Sequence, residues 1–470
     1  MQNKLDAWNE NEFSRRLHLI EGENLYLIFD INSLSLFKVN SFTYEIFSQI
    51  LSGCSPSDLI KEYKIDDAQS IYKILFQNDC RTKAIGSNKT ARKSVLDRLV
   101  LNISNDCNLS CKYCYATHGT YGYDKSFMED ELALRTVDYF YEIYDEINNI
   151  QFFGGEPLLN PHTIEITCAY ITEKHVQGKI RKLPVFSIVT NGTIMSPEIL
   201  RLISIYEIKL TISIDGPQFI HDYLRGTNTF KEINKNLQQL KNMDIGVECT
   251  FTNHHLINNF KVSDLDLMKF FQEEFGLHST HIPFVSAING DELCISDEDL
   301  KKVYSEATEF ALSSIVNETY MLDSYTLRLL RAIIYKKMIA VYCPAGLTTI
   351  SVSSQGDIYP CFMFIGKKEF LMGNVLEKDI DPQKLSKIWD NLEKFGKWDN
   401  VKCSNCWARS LCFGCLGNDY IVSGSIENKP NCEFMKALIE SFLLNFSKIS
   451  DDPSVLSRMI NLCGERNSKP

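Results

Sequence analysis

The chain reads as an α/β protein: a partial (β/α)6 barrel of parallel strands, preceded by a small α/β unit and followed by a cysteine-rich unit. Two patterns predict this. From about residue 97 to 285, short apolar segments alternate with helical ones: LVLNIS, IQFFGG, VFSIVTNG, KLTISIDG, VECTFT and HIPFVSA. Strands that alternate with helices build parallel βαβ units with right-handed crossovers, and six such strands fall short of the eight that close a full barrel. The second pattern is the uneven spread of 16 cysteines. Cys107, Cys111 and Cys114 form one tight group, and Cys343, Cys361, Cys403, Cys406, Cys412, Cys415 and Cys432 crowd the last third.

Each stretch follows from its own signals. In residues 1–90, LHLIE, NLYLIFD and SLSLFKV alternate with the turn-like GEN and Asp30-Ile31-Asn32, so three strands are expected. Asn40-Ser41 can cap a helix running through Leu51; a second helix starts at Ser55 with Ile60 and Tyr63 facing inward, and a third apolar-periodic segment carries Ile71, Ile74 and Phe76. The polar GSNKTARKS at 86–94 reads as a linker. Residues 97–285 are the barrel, 286–340 a mainly helical bridge, 341–435 the cysteine-rich unit, and 436–470 a tail whose opening helix covers about Phe434–Phe446.

Composition bounds the function. A hydrophobic fraction of 44% with 23% charged residues describes an ordinary globular protein. The net charge of −11 supplies no bulk basic surface for nucleic acid phosphates, so no nucleic-acid partner is expected. The opening MQNKLDAWNENEFSRRLHLIEG has no apolar core of the signal-peptide kind, and no stretch is apolar enough to span a bilayer. The expected location is the cytoplasm, with no membrane partner. Thiols stay reduced there, so clustered cysteines read as metal ligands rather than disulfides. Cys54, Cys80, Cys168, Cys249, Cys294 and Cys463 are scattered singles and read as small hydrophobes filling core positions.

The segment Cys107-Asn-Leu-Ser-Cys111-Lys-Tyr-Cys114 follows directly on the first barrel strand. Three thiolates within eight residues can hold three irons of a cubane cluster and leave the fourth open to a ligand. A zinc knuckle completed by His118 is the alternative. Gly154-Gly155-Glu156-Pro157 ends the second strand, Thr190-Asn191-Gly192 the third, and Ser213-Ile214-Asp215-Gly216-Pro217 the fourth. Ligand sites of parallel α/β sheets lie at such carboxyl ends. Glycines there let backbone approach a cofactor, and Glu156 can pair with an ammonium group.

Together and in order, these motifs resemble the radical S-adenosylmethionine (SAM) superfamily, with Tyr113 as the aromatic residue before the last cysteine. The resemblance implies a [4Fe–4S] cluster on Cys107, Cys111 and Cys114. It implies that Gly154, Gly155, Glu156 and Pro157 receive the SAM amino group, that Thr190 and Asn191 belong to the same site, and that Ser213 and Asp215 meet the ribose. His221, Asp222 and Arg225 continue the pattern. The implied chemistry is reductive cleavage of SAM to a 5′-deoxyadenosyl radical, which abstracts hydrogen from an unactivated carbon.

Cys343-x12-Gly356-x4-Cys361, then Cys403-x2-Cys406-x5-Cys412-x2-Cys415, then Cys432, resembles a SPASM domain. Only Phe413 and Gly414 separate the penultimate pair, where that family more often has three residues. The resemblance implies two auxiliary [4Fe–4S] clusters, and so three clusters in all. Cys403, Cys406, Cys412 and Cys432 would ligate the distal one fully; Cys343, Cys361 and Cys415 would hold the nearer one with a vacancy. Cys294 can fill that gap, or a cysteine of a peptide substrate can. A pair of zinc ribbons is the alternative for this region taken alone.

Residues 13–90 resemble the leader-peptide recognition domain (RRE, PqqD-like) of peptide-modifying enzymes, which implies a winged-helix-like unit of three strands and three helices that adds the leader as a strand at a sheet edge. The expected edge is Ser33–Val39, with the helix near Gln69–Phe76 as the other wall. The three units together resemble maturases of ribosomally synthesised precursor peptides. CNLSCKYCYATHGTYG and IYPCFMFIG are most similar to enzymes that join cysteine sulfur to carbon as a thioether, at the α-carbon (sactipeptide) or, preferred here, the β- or γ-carbon (ranthipeptide). A reductant such as flavodoxin or ferredoxin is implied. A carbon–carbon crosslinking maturase is a second reading. A sulfatase-maturating enzyme is a third, but those carry an aspartate after the cysteine matching Cys361, and here Phe362 stands there. Tyr115, His118 and Tyr121 can line the site, although packing is the commoner fate of such residues.

Overall fold

The computed structural model describes residues 15–55, 58–59, 62–63, 95–240, 243, 245–257, 261–277, 279–288, 290–377, 397 and 400–464. The N-terminal unit opens with β1 (Leu17–Gly22), β2 (Leu25–Asp30) and β3 (Ser35–Val39), an antiparallel sheet with β2 in the middle. Helix Ser41–Leu51 follows, its N-cap Asn40 accepting a hydrogen bond from Thr43 N at 2.7 Å. One face of the sheet packs on that helix through Leu17, Ile28, Ile46, Phe47 and Ile50. The other face gives Ile20, Leu27, Phe29 and Ile31 to the main core. Leu59 is buried, whereas Tyr63, expected to face inward, is 41% exposed and meets Phe42 edge-on. Ile60, Ile71, Ile74, Phe76, the expected wall Gln69–Phe76 and the linker at 86–94 lie outside the described residues.

The main sheet is built on β4 (Arg98–Ser104), β5 (Asn149–Gly154), β6 (Val185–Thr190), β7 (Lys209–Ser213) and β8 (Ile245–Glu248). They run parallel, each beside the next. In β4, Leu99, Val100, Leu101 and Ile103 are all buried, the continuous apolar run of a strand covered on both faces. The expected sixth strand, HIPFVSA, is reduced to two parallel bridges, Glu248↔His281 and Phe251↔Phe284. Pro283 lies between them and has no N–H to donate to a ladder.

The other edge of β4 is not left open. It pairs in parallel with β9 (Thr349–Val352), which continues antiparallel into β10 (Asp357–Tyr359) and β11 (Gly373–Asn374). Among the described residues the sheet therefore has eight strands and runs from the barrel into the cysteine-rich region, a continuity not expected from the sequence. Helices Asp297–Val316 and Ser324–Ile334 form the bridge, and helices Cys432–Ile449 and Pro453–Gly464 close the chain. Of the scattered cysteines, Cys168, Cys249 and Cys463 are buried as expected; Cys54 is exposed, Cys294 is half-buried, and Cys80 lies outside the described residues. Among the described residues no helix is long and apolar enough to cross a membrane.

Candidate functional site

The loop after β4 carries Cys107, Cys111 and Cys114, and the glycines at the end of β5 are what let it sit there. Gly155 N donates to Ser104 O at 2.8 Å and Glu156 N to Asp106 O at 2.8 Å. A Cβ on Gly155 would lie 2.3 Å from Asp106 O, and one on Gly119 would lie 2.7 Å from Cys107 Cβ. These positions are closed to side chains by the cysteine loop itself. Lys112 N donates to Leu224 O at 2.9 Å, which ties the loop to helix Gln218–Arg225.

Polar groups converge on the loop from successive strand ends. Tyr113 donates its hydroxyl to Asp215 Oδ2 at 2.5 Å, and Arg225 forks onto the same carboxylate. Thr250 N donates to Asp215 Oδ1 at 3.1 Å, and His255 Nε2 lies 2.9 Å from Asp215 O. Asn191 Nδ2 donates to Asn108 Oδ1 at 2.8 Å and points at Cys107 Sγ at 3.9 Å. Ser213, half-buried, pairs with Glu248 in the sheet.

Glu156 is fully enclosed, and its carboxylate joins strand ends in place of presenting an open anion. It accepts from Leu158 N at 2.9 Å, Thr190 Oγ1 at 2.7 Å and Asn191 N at 2.8 Å. Burial raises its pKa against these donors. Pro157 starts the short turn Pro157–Leu159 that follows. Burial also pushes the Cys107 thiol up to about 12 and raises that of Cys111. Such thiols ionise when a metal takes the sulfur. His118 is exposed in a left-handed turn, and among the described residues no three His, Cys, Asp or Glu side chains converge on a single-ion site.

Across from this loop stands a second group of thiols. Cys343, Cys361 and Cys415 are brought together from three separate segments. The Cys415 thiol hydrogen-bonds to that of Cys343, which lowers the Cys343 pKa, and its sulfur lies 3.5 Å from Met363 Sδ. Cys361 is pushed up to about 11 by burial, then by Cys343. Cys294 is half-buried, and its thiol reaches Ile295 O at 3.7 Å. The ring of Phe362 is 4.5 Å from that of Phe153 and 6.4 Å from that of Tyr115. Cys114, Tyr121, Cys343, Cys361 and Phe362 share one apolar cluster, which joins the two cysteine groups. The short Phe413-Gly414 spacer passes under Tyr342, whose hydroxyl would lie 2.1 Å from a Cβ on Gly414.

The third group lines a cavity of about 240 Å³: Cys403, Cys406, Cys412 and Cys432, with cations Lys397, Lys402, Arg409, Lys429 and Lys436 around them. Four thiolates on iron carry net negative charge, so a ring of cations fits that occupant. Lys397 is nearly fully buried and donates to the carbonyls of Ile339 and Cys412. Lys429 pairs with Asp419 at 3.3 Å and lies over the Tyr342 ring at 4.8 Å. No sequence signal marks Lys397, Lys429 or Tyr342 beyond the adjacency of Tyr342 to Cys343.

The Radical SAM superfamily model matches residues 101–271, and that of the SPASM iron–sulfur cluster-binding domain matches 343–407. The chain is 30% identical to the radical SAM cyclopropyl synthase TigE of Paramaledivibacter caminithermalis over 242 residues, 48% of this chain and 46% of the relative. It is 25% identical to the antilisterial bacteriocin subtilosin biosynthesis protein AlbA of Bacillus subtilis over 304 residues, 61% of this chain and 60% of the relative. The chain thus spans about half of the length of the curated relatives it matches. Among solved structures, native anSMEcpe with bound AdoMet and Kp18Cys peptide superposes with a TM-score of 0.61 at 20% identity, covering 79% of this chain and 99% of that one; this likeness shows the fold. The chain carries a radical SAM domain joined to a SPASM iron–sulfur cluster-binding domain.

Proposed function

We propose that the chain is a radical SAM maturase that installs thioether crosslinks, cysteine sulfur to carbon, in a ribosomally made precursor peptide. The observation that carries this reading is the placement of the group of Cys343, Cys361 and Cys415 beside the Cys107–Cys114 loop across Phe362. When bound, SAM and its cluster supply a carbon-centred radical able to abstract hydrogen. The chain's own residues bind and orient. Cys107, Cys111 and Cys114 hold the SAM cluster; Tyr113, Gly154, Gly155, Glu156, Pro157, Thr190, Asn191, Ser213, Asp215 and Arg225 shape the SAM site. Cys403, Cys406, Cys412 and Cys432 saturate a distal cluster. The three thiols of the middle group leave one position for a substrate sulfur, which coordination would deprotonate and fix. Phe362 and Phe153 make the intervening wall apolar and provide no carboxylate base there. The edge strand β3 has β2 as its neighbour on one side, so its other side suits an added leader strand.

The test is anaerobic incubation with SAM, dithionite and a cysteine-rich precursor, read by mass spectrometry. Loss of two hydrogens per crosslink, with the affected cysteines resistant to alkylation, is the expected result. The same mass loss with every cysteine still alkylated would move the reading to carbon–carbon bond formation, which the likeness to TigE, a cyclopropyl synthase, favours as the second reading.

A further inference from the structure

The N-terminal sheet rests on two elements of the body, and both adjoin cysteines of the distal group. The first is the turn Trp407–Ser410, which lies between Cys406 and Cys412. His18 of β1 stacks face to face on Trp407, with ring centroids 3.7 Å apart and planes 4° apart. Arg409 donates to Arg15 O at 2.8 Å and to Asn32 Oδ1 at 3.2 Å, reaching the chain before β1 and the turn between β2 and β3. Its other terminal nitrogen reaches Cys406 O at 3.4 Å. The second element is the helix Cys432–Ile449, which starts at the fourth distal cysteine. Its Phe442 and Leu443 share the core with Ile20, Leu27 and Phe29, and a Cβ on Gly22 would lie 2.8 Å from Leu444 Cδ2. Trp407 and Arg409 also line the distal cavity, so one pair of side chains faces thiols on one side and the sheet on the other.

We infer that the distal cysteine site has a further function as the joint that fixes the N-terminal sheet on the body of the chain. A group held by Cys403, Cys406, Cys412 and Cys432 ties the 407–410 turn to the start of the last long helix. It thereby sets the position at which a strand added along Ser35–Val39 is presented. Metal binding of this kind contributes its free energy to the order of the segments it crosslinks. The inference rests on the proposal that these four thiols take an iron–sulfur cluster.

The experiment is hydrogen–deuterium exchange of the anaerobically reconstituted full chain, with iron content measured on the same samples. Cys432→Ala should lose iron and raise exchange in residues 17–39 by about tenfold or more, while barrel segments 98–104 and 149–154 keep wild-type rates. Trp407→Leu, which leaves every thiol in place, should keep its iron and still raise exchange in 17–39. Wild-type exchange in 17–39 after Cys432→Ala has lost its iron, or in Trp407→Leu, would overturn the joint. Because three thiols can hold a cluster with one position open, full iron in Cys432→Ala moves the same comparison to Cys403→Ala/Cys406→Ala/Cys432→Ala, and full iron in that triple variant would sink the cluster assignment itself and the joint with it, a result distinct from unchanged exchange after iron loss.

Discussion

Arg225 holds Asp215 in a buried fork, Nε to Oδ2 at 2.8 Å and a terminal nitrogen to Oδ1 at 3.2 Å. Tyr113 reaches the same Oδ2 from the cysteine loop, so one carboxylate fixes the loop, the helix Gln218–Arg225 and the end of β7 together. Asp215→Ala would strand a buried guanidinium, and the expected loss is about 3–5 kcal/mol of stability. Tyr113→Phe removes one hydrogen bond to a charged group, a loss of about 1.5–3 kcal/mol. Urea midpoints of the reconstituted proteins check both. Burial raises the Asp215 pKa, but Arg225, His221 and Tyr113 more than offset it and hold it below 3.8. Its contribution is therefore fully present above pH 3.8 and lost as pH falls through the lower folded value.

Gly155→Ala should damage the SAM-cluster site through the backbone. The new Cβ would meet Asp106 O at 2.3 Å and Asp106 C at 2.7 Å, contacts that rotamer changes cannot relieve. Iron content should fall and SAM cleavage should be lost, with the two other cysteine groups still loaded. Gly246→Ala, where the nearest atom is Thr211 Oγ1 at 3.4 Å, is the control and should load normally. Normal loading of Gly155→Ala would show that the loop can shift away from β5.

The order of the five parallel strands is legible because each apolar run is short and bounded by glycine or polar residues, as in VFSIVTNG and KLTISIDG. The cysteine groups are legible for a different reason: ligand spacing is a local property. What tertiary choice decides is not. Thr349–Val352 has strand composition, but nothing local says that it pairs with Arg98–Ser104. Tyr113 and Asp215 are recognisable as motif residues, yet their hydrogen bond spans 102 positions. The GGEP glycines suggest room for a cofactor, whereas in the fold Gly155 makes room for Asp106. Lys397 looks like any surface lysine until its burial is seen.

Acid should weaken the fold between about pH 6.5 and 4, and His221 is one source. Asp215 N donates to His221 Nδ1 at 3.2 Å, so the buried ring accepts at that nitrogen and a proton there would oppose the amide. Burial is the main cause of a pKa lowered to about 4 from 6.5. The unfolded chain binds more protons across that window, so stability is complete above pH 6.5 and falls as pH drops toward 4. His18, half-buried against Trp407 and near Lys436, is also lowered to about 4, mainly by burial, and adds to the slope. The predicted loss per histidine is of the order of 2–3 kcal/mol. Urea midpoints at pH 7 and 5 measure it. His221→Asn, whose amide oxygen can accept from Asp215 N, should make stability fall less between pH 7 and 5, and an unchanged slope would place its origin elsewhere.

Lys397→Met should lower the reduction potential of the cluster we propose at the distal thiols. Lys397 sits among Cys403, Cys406 and Cys412, its ammonium hydrogen-bonded to the Ile339 and Cys412 carbonyls. Reduction adds a negative charge to a group already anionic, and a nearby buried cation stabilises that state more than the oxidised one. Methionine has comparable length and no charge, so packing should survive while the electrostatic support is lost. Redox titration followed by electron paramagnetic resonance measures the change, with Lys402→Met, at the same cavity, as a comparison. The shift should be larger for Lys397, because it is the more deeply buried of the two and solvent screens it less. Equal shifts would mean that solvent reaches the cavity and screens both charges alike.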